Sequence, residues 1–257
     1  MPVAGVDVGS VAAKAVIFDP QSRSLLGKAV LPTGWNAREA GEKALAAACA
    51  DAGGIAASRI VGTGYGRISL PFADKVVTEI TCHARGAVHL FPGTGVVLDI
   101  GGQDSKVIST APDGSVQDFL MNDKCAAGTG RFLEMIARSL EISLDELGPA
   151  ALESKKHLEI ASMCSVFAES EVISLIANNE EKPDIAAGVC RAVAGKAYSL
   201  MRRVGLEGAY MMTGGVAQNP GVVRAVEELI GEKLFICEDP EIVGATGAAL
   251  LALEKSV

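Results

Sequence analysis

Apolar positions along this chain follow two rhythms. Short apolar runs that reach an aspartate and then a glycine read as buried strands, around 4–7 and 96–99, and a similar run covers 209–213. Between them, apolar residues recur at helical spacing. This predicts helices over 37–52, 79–90, 129–140, 166–177, 185–204 and 220–230, with a small-residue helix at 242–251 suited to tight packing. Thr78 is placed as an N-cap, and Pro220 suits a first helical turn, where its missing N–H is not needed. A short strand at 59–61 leads into the glycine-rich loop Gly62-Thr63-Gly64-Tyr65-Gly66-Arg67. No low-complexity stretch or long linker interrupts the chain, so the alternation predicts an α/β protein, either one large domain or two lobes.

The chain also repeats itself. Val6-Asp7-Val8-Gly9-Ser10, with Lys14 beyond it, is matched by Leu98-Asp99-Ile100-Gly101-Gly102, with Lys106 beyond it. The aspartate-to-lysine spacing is the same in both, since 14 − 7 and 106 − 99 each give 7. Each copy reads as a strand ending at the aspartate, a glycine turn, and a second strand beginning just after the lysine. Glycine lets successive backbone N–H groups point at one anion. A carboxylate beside such a turn repels phosphate, and makes sense if it holds a Mg²⁺-bound water or orients an attacking water. A third element, Thr213-Gly214-Gly215-Val216-Ala217-Gln218, joins a strand to a helix. It reads either as a plain turn or as backbone packed against a flat nucleoside.

Composition narrows the classes. With 49% hydrophobic and 21% charged residues over 257, the chain buries a core and is not disordered. No run of 18 apolar residues and no signal-peptide profile occurs, so a cytoplasmic protein without membrane association is expected. A net charge of −8 argues against nucleic acid as a partner, and 4% aromatic residues leave few stacking platforms. The 6 cysteines form no CxxC pair, which disfavours a zinc ribbon or a thioredoxin-type site. Cys49, Cys190 and Cys237 sit in apolar contexts and read as core, and Cys82-His83 lacks partners at ligand spacing. His89 and His157 have no motif around them, and Lys155-Lys156 reads as a solvated turn. Glu169 and Glu171 suit either a surface role or contact with a cluster helix or partner.

Two phosphate hairpins and a Thr-Gly-Gly turn resemble the actin, Hsp70 and sugar-kinase ATPase superfamily. Within it, Asp99-Ile-Gly-Gly-Gln-Asp104, the block from Met121 to Glu134 around Cys125, and the block from Cys164 to Ser174 resemble a narrower group. That group comprises ATP-dependent activators of 2-hydroxyacyl-CoA dehydratases, ATPase subunits of benzoyl-CoA reductase, and reductases of double-cubane cluster proteins. Gly64-Tyr65-Gly66-Arg67 and Glu79-Ile80-Thr81-Cys82-His83 are similar to it as well. One departure is Val11-Ala12 after Ser10, where a small hydroxyl residue is common in the group.

The resemblance implies an actin/Hsp70/sugar-kinase-like fold with two duplicated lobes, expected here at 1–92 and 93–257, the C-terminal helix packing back on the first. It implies ATP or ADP held between lobes by Gly9, Ser10, Val11, Ala12, Ala13, Lys14, Gly101, Gly102 and Gln103, with Gly214, Gly215, Val216, Ala217 and Gln218 on the adenosine side. Asp7 and Asp99 would hold Mg²⁺ through water, and Gln103 or Asp104 would place the attacking water. Cys125 and Cys164 would each gain from a helix N-terminus. Such a cluster needs four thiolates, so the two cysteines would share one [4Fe–4S] cluster across a homodimer. ATP turnover would then drive a low-potential electron from a ferredoxin or flavodoxin to a partner iron–sulfur dehydratase or reductase. Two readings compete. A small-molecule kinase of the same superfamily leaves both cysteine blocks without a role, and a nucleotide-regulated, chaperone-like protein has no redox chemistry.

Overall fold

The computed structural model describes residues 1–160 and 164–254. The chain opens with β1 (Val3–Val8), β2 (Ala12–Asp19), β3 (Ser24–Pro32), α1 (Ala37–Asp51), β4 (Ile60–Thr63), β5 (Lys75–Val76) and α2 (Glu79–Leu90). It continues with β6 (Thr94–Ile100), β7 (Ser105–Thr110), β8 (Val116–Asn122), α3 (Gly130–Ser139), α4 (Leu144–Leu152), α5 (Ser165–Ala177) and α6 (Lys182–Val204). It ends with β9 (Ala209–Thr213), α7 (Pro220–Ile230), β10 (Leu234–Phe235) and α8 (Val243–Ala252). One compact unit comprises Met1–Val97, Ile108–Asp118 and the chain from Cys237 onward; the other comprises Leu98–Val107 and Phe119–Ile236.

The two five-stranded sheets have one topology. Their orders are β3-β2-β1-β4-β5 and β8-β7-β6-β9-β10, so each strand of the first has a counterpart at the same place in the second. The repeat seen in the hairpin motifs therefore extends to whole sheets. In the first sheet β1 is central, antiparallel to β2 and parallel to β4. It is buried on both faces, as a central strand covered by helices must be.

Alternation along β1 decides what each face meets. Ala4, Val6 and Val8 pack with Ala13, Ala15 and Ile17 of β2 against Ala40, Ala44 and Ala48 of α1. The opposite face carries Val3, Gly5 and Asp7. It packs with Val16, Phe18 and Val61 against Ala245, Ala248 and Ala249 of α8. A methyl group at Gly5 would run into the Ala245 carbonyl oxygen, and one at Gly247 into that of Cys82. Small residues thus let α8 lie directly on β1 and α2.

α2 and α7 start where the sequence predicts. Thr78 caps α2, and Asn219 caps α7 through Oδ1, which accepts from the Val222 N–H at 3.0 Å. α4 has no counterpart among the sequence-predicted helices. It opens with a capping box, the Ser143 side chain accepting from the Glu146 N–H while Glu146 accepts in return, and it carries Pro149 inside. The Lys155-Lys156 turn is exposed as expected, and both backbone N–H groups donate to Asp184 Oδ1, at 2.7 and 2.8 Å.

Candidate functional site

In each hairpin the lysine lies within the second strand, directly across from the aspartate, and not ahead of that strand. β2 begins at Ala12, and its register pairs Asp7 with Lys14. β7 begins at Ser105, just before Lys106. The spacing repeated in the sequence is thus the register of a tight hairpin. Gly9 N–H donates to the Ala12 carbonyl at 3.0 Å, and Gly101 N–H donates to the Asp104 carbonyl at 2.9 Å.

In the first hairpin, Lys14 Nζ lies 3.5 Å from Asp7 Oδ2. Ser10 is half-buried and Val11 exposed at the tip, whereas Ala13 is buried in the core and offers only its backbone. Thr33, just after β3, braces the turn from behind. Its hydroxyl donates to Gly9 O at 2.8 Å and its N–H to Val11 O at 2.9 Å. Neither contact was signalled by a motif.

The second hairpin is held more tightly. Lys106 Nζ lies 3.1 Å from Asp99 Oδ2 and 2.8 Å from Asp104 Oδ2. Burial alone would pull the Lys106 pKa down; the charges of Asp99 and Asp104 outweigh it and hold the ammonium above its ordinary value. The Thr213 hydroxyl donates to Asp99 Oδ1 at 2.8 Å, so both Asp99 oxygens are occupied. The turn itself is tied to α3: Gly130 N–H donates to Gly101 O at 2.9 Å, and Arg131 N–H to Gly102 O at 2.8 Å. Gln103 is exposed at the tip.

A Thr-Gly corner closes each hairpin from the neighbouring strand. β4 ends at Thr63 before Gly64 (φ +86°), and β9 ends at Thr213 before Gly214 (φ +84°). That left-handed conformation favours glycine, and space demands it too. A methyl group at Gly214 would run into the Ile100 carbonyl and come within 2.9 Å of Asp99 Oδ1; at Gly64 it would strike Val8 O and Asp7 Oδ1. Gly62-Thr63-Gly64, read from sequence as a loop, is the counterpart of Thr213-Gly214. Beyond Gly214, a 3₁₀ turn over Gly215–Gln218 exposes Gly215 and Gln218 and buries Val216 and Ala217.

Sequence reasoning did not assign His83 to the Asp7 surroundings. His83 is buried in α2, and a methyl group at Gly244 would lie 2.8 Å from its Nε2 and 3.0 Å from Asp7 Oδ2. His83, Gly244 and Asp7 therefore share one small space. Among the described residues no cluster of three or more His, Cys, Asp or Glu side chains is placed to hold a metal ion.

The cysteines separate by environment. Cys82 and Cys190 are buried, and burial pushes both thiols up to about 12. Burial also raises Cys237, which is partly exposed, as is Cys49. Cys125 and Cys164 are both partly exposed and lie in one unit. Cys164 is the N-cap residue of α5, whose start no side chain caps. Cys125 lies in the loop between β8 and α3, where Asn122 Nδ2 donates to its carbonyl at 2.9 Å. The first N–H groups of α3 donate to Gly101 O and Gly102 O and not to its thiol. Lys196 of α6 instead donates to Cys125 Sγ at 3.5 Å.

Among the described residues no helix is long and apolar enough to cross a membrane. Residues 4–252 match the family described as the BadF/BadG/BcrA/BcrD ATPase family. The chain is similar to component A of (R)-2-hydroxyglutaryl-CoA dehydratase from Acidaminococcus fermentans, with 41% identity and a TM-score of 0.94 over 98% of this chain and 97% of that one. It is also similar to the activator of 2-hydroxyisocaproyl-CoA dehydratase from Clostridium difficile with bound ADPNP, at 40% identity and a TM-score of 0.92 over 98% and 94%. A ROK family glucokinase from Streptomyces griseus shares the fold alone, at 16% identity and a TM-score of 0.59 over 98% of each chain.

Proposed function

The chain belongs to the BadF/BadG/BcrA/BcrD ATPase family, and from that premise we propose that it is a homodimeric, ATP-hydrolysing activator that delivers single electrons to a partner iron–sulfur enzyme of the 2-hydroxyacyl-CoA dehydratase type. The observation that carries the electron-transfer part is the pair Cys125 and Cys164. They are partly exposed thiols of one unit, each in the segment that leads into a helix, unlike the buried Cys82 and Cys190. Two thiols per chain make half a ligand set for [4Fe–4S], and a second copy supplies the other half. α5, which Cys164 opens, supports that arrangement: it exposes Phe167, Ile173 and Ile176, and a second copy covers such a helix. When bound, the cluster supplies a one-electron couple. A reduced ferredoxin or flavodoxin is the donor.

On the nucleotide side, the tips of the turns, at Ser10–Val11 and Gly102–Gln103, present backbone N–H groups to phosphate, and the Gly214–Gln218 corner packs on adenosine. Asp7 and Asp99 are buried carboxylates, each facing a lysine. They suit holding Mg²⁺ through water and not by direct coordination; when bound, Mg²⁺ neutralises phosphate charge. Asp104 is committed to Lys106, which leaves the exposed Gln103 to position the attacking water. Gln103→Ala is expected to slow ATP hydrolysis roughly 100-fold and Asp104→Ala far less; equal losses contradict that assignment.

The electron-transfer reading is tested by anaerobic purification, iron and sulfide analysis, and visible absorption. The expected result is four irons per two chains, lost in Cys125→Ala and in Cys164→Ala. An iron-free protein that phosphorylates a small molecule overturns it and points to a kinase; ATPase activity with neither iron nor a phosphorylated product overturns it as well.

A further inference from the structure

The two candidate ligand cysteines are not supported in the same way. Cys164 stands at the start of α5, which no side chain caps and where the helix dipole favours negative charge. Cys125 has no such support, since the Gly130 and Arg131 N–H groups at the start of α3 donate to Gly101 O and Gly102 O. What faces Cys125 is an ammonium: Lys196 Nζ lies 3.5 Å from its Sγ. The lysine stem is guided there by Gly128 (φ +94°), where a methyl group would come within 3.1 Å of Lys196 Cδ and 3.3 Å of its Cβ.

We infer that Lys196 is the charge partner of the Cys125 side of the shared cluster, and that it stabilises the reduced cluster more than the oxidised one. This inference rests on the electron-transfer reading above. Reduction adds one electron and one negative charge, and a fixed cation a few ångströms from a ligand sulfur favours the more negative state. In a dimer each copy contributes one such lysine. Lys196 thus does for Cys125 what the α5 N-terminus does for Cys164. It acts through the ligand sulfur and takes no part in hydrolysis.

The test compares the unaltered protein with Lys196→Gln and Lys196→Arg, each purified anaerobically, by iron content and by a reductive titration followed by EPR. Lys196→Gln is expected to keep four irons per dimer and to be about tenfold harder to reduce, a shift of about 59 mV to lower potential for a one-electron couple. Lys196→Arg is expected to stay within about threefold of the parent. Loss of iron in Lys196→Gln but not in Lys196→Arg also supports the inference, because the charge is then needed to retain the cluster. An unchanged potential in Lys196→Gln, or equal changes in both variants, overturns it and leaves Lys196 a packing residue. If the unaltered protein holds no iron, the electron-transfer reading fails first and takes this inference with it.

Discussion

Lys14 of the first hairpin meets one carboxylate, at 3.5 Å; Lys106 of the second meets two, at 3.1 and 2.8 Å. The hairpins are otherwise superposable in design, with the same aspartate-to-lysine register, the same glycine N–H closing the turn, and the same Thr-Gly corner behind. One position makes the difference: Ala12 in the first turn corresponds to Asp104 in the second. The bracing differs as well. A threonine hydroxyl supports the first turn, whereas the start of a helix that follows the Cys125 loop supports the second. The second hairpin is thus a locked element, its one ammonium held by two carboxylates, and it is wired by backbone hydrogen bonds to the cysteine-bearing segment. The first keeps a less committed ammonium, which suits it to meet phosphate.

The largest expected effect contrasts the two aspartates. Asp99→Asn leaves the buried Lys106 with a single carboxylate and should cost about 3 kcal/mol of stability, the lower end for breaking a buried pair. Asp7→Asn, whose lysine is more exposed than Lys106 and more distant from its partner, should cost less. Urea unfolding of both variants checks this, and equal losses would erase the distinction between the hairpins. A sharper version converts one hairpin into the other. Ala12→Asp gives Lys14 a second carboxylate and adds negative charge at a phosphate turn, so affinity for ADP, measured by calorimetry, should fall about tenfold. Unchanged affinity would mean that Lys14 and its turn do not meet phosphate.

The smallest effect is a pH dependence. Lys106 has its pKa raised in the folded protein, so the stability it contributes is complete below the ordinary lysine value of 10.5 and is lost as pH rises through the folded value. Asp104→Ala removes part of that raise. The stability gap between the parent and Asp104→Ala, expected at about 1 kcal/mol, should be constant from pH 6 to 9 and shrink only in more alkaline solution, as Lys106 of the folded variant loses its proton before that of the folded parent. A gap that widens there would show that Asp104 does not act through Lys106.

Much of this fold is legible in the sequence because buried strands, glycine turns and caps leave local marks. The hairpin motifs, the Thr78 and Pro220 helix starts and the small-residue α8 all follow from neighbouring residues. What was not legible depends on contacts distant in the chain. That Lys14 faces Asp7 is a matter of strand register; that Thr33 braces Gly9 needs β3 folded beside β2. The Gly62-Thr63-Gly64 loop showed its kinship with Thr213-Gly214 only once both sheets had the same order. α4 was missed although its Ser143-x-x-Glu146 box was readable, because Pro149 interrupts the helical pattern. That the first α3 N–H groups serve a turn nearly thirty residues upstream is likewise a contact no local pattern reveals.

The central claim is that two copies of this chain share one inorganic cluster through Cys125 and Cys164. Native mass spectrometry under anoxic conditions tests it most directly. The expected species has the mass of two chains plus a single four-iron, four-sulfide core, and falls to bare chains when both cysteines are replaced by alanine. A monomer, or a dimer with no inorganic mass, would contradict it.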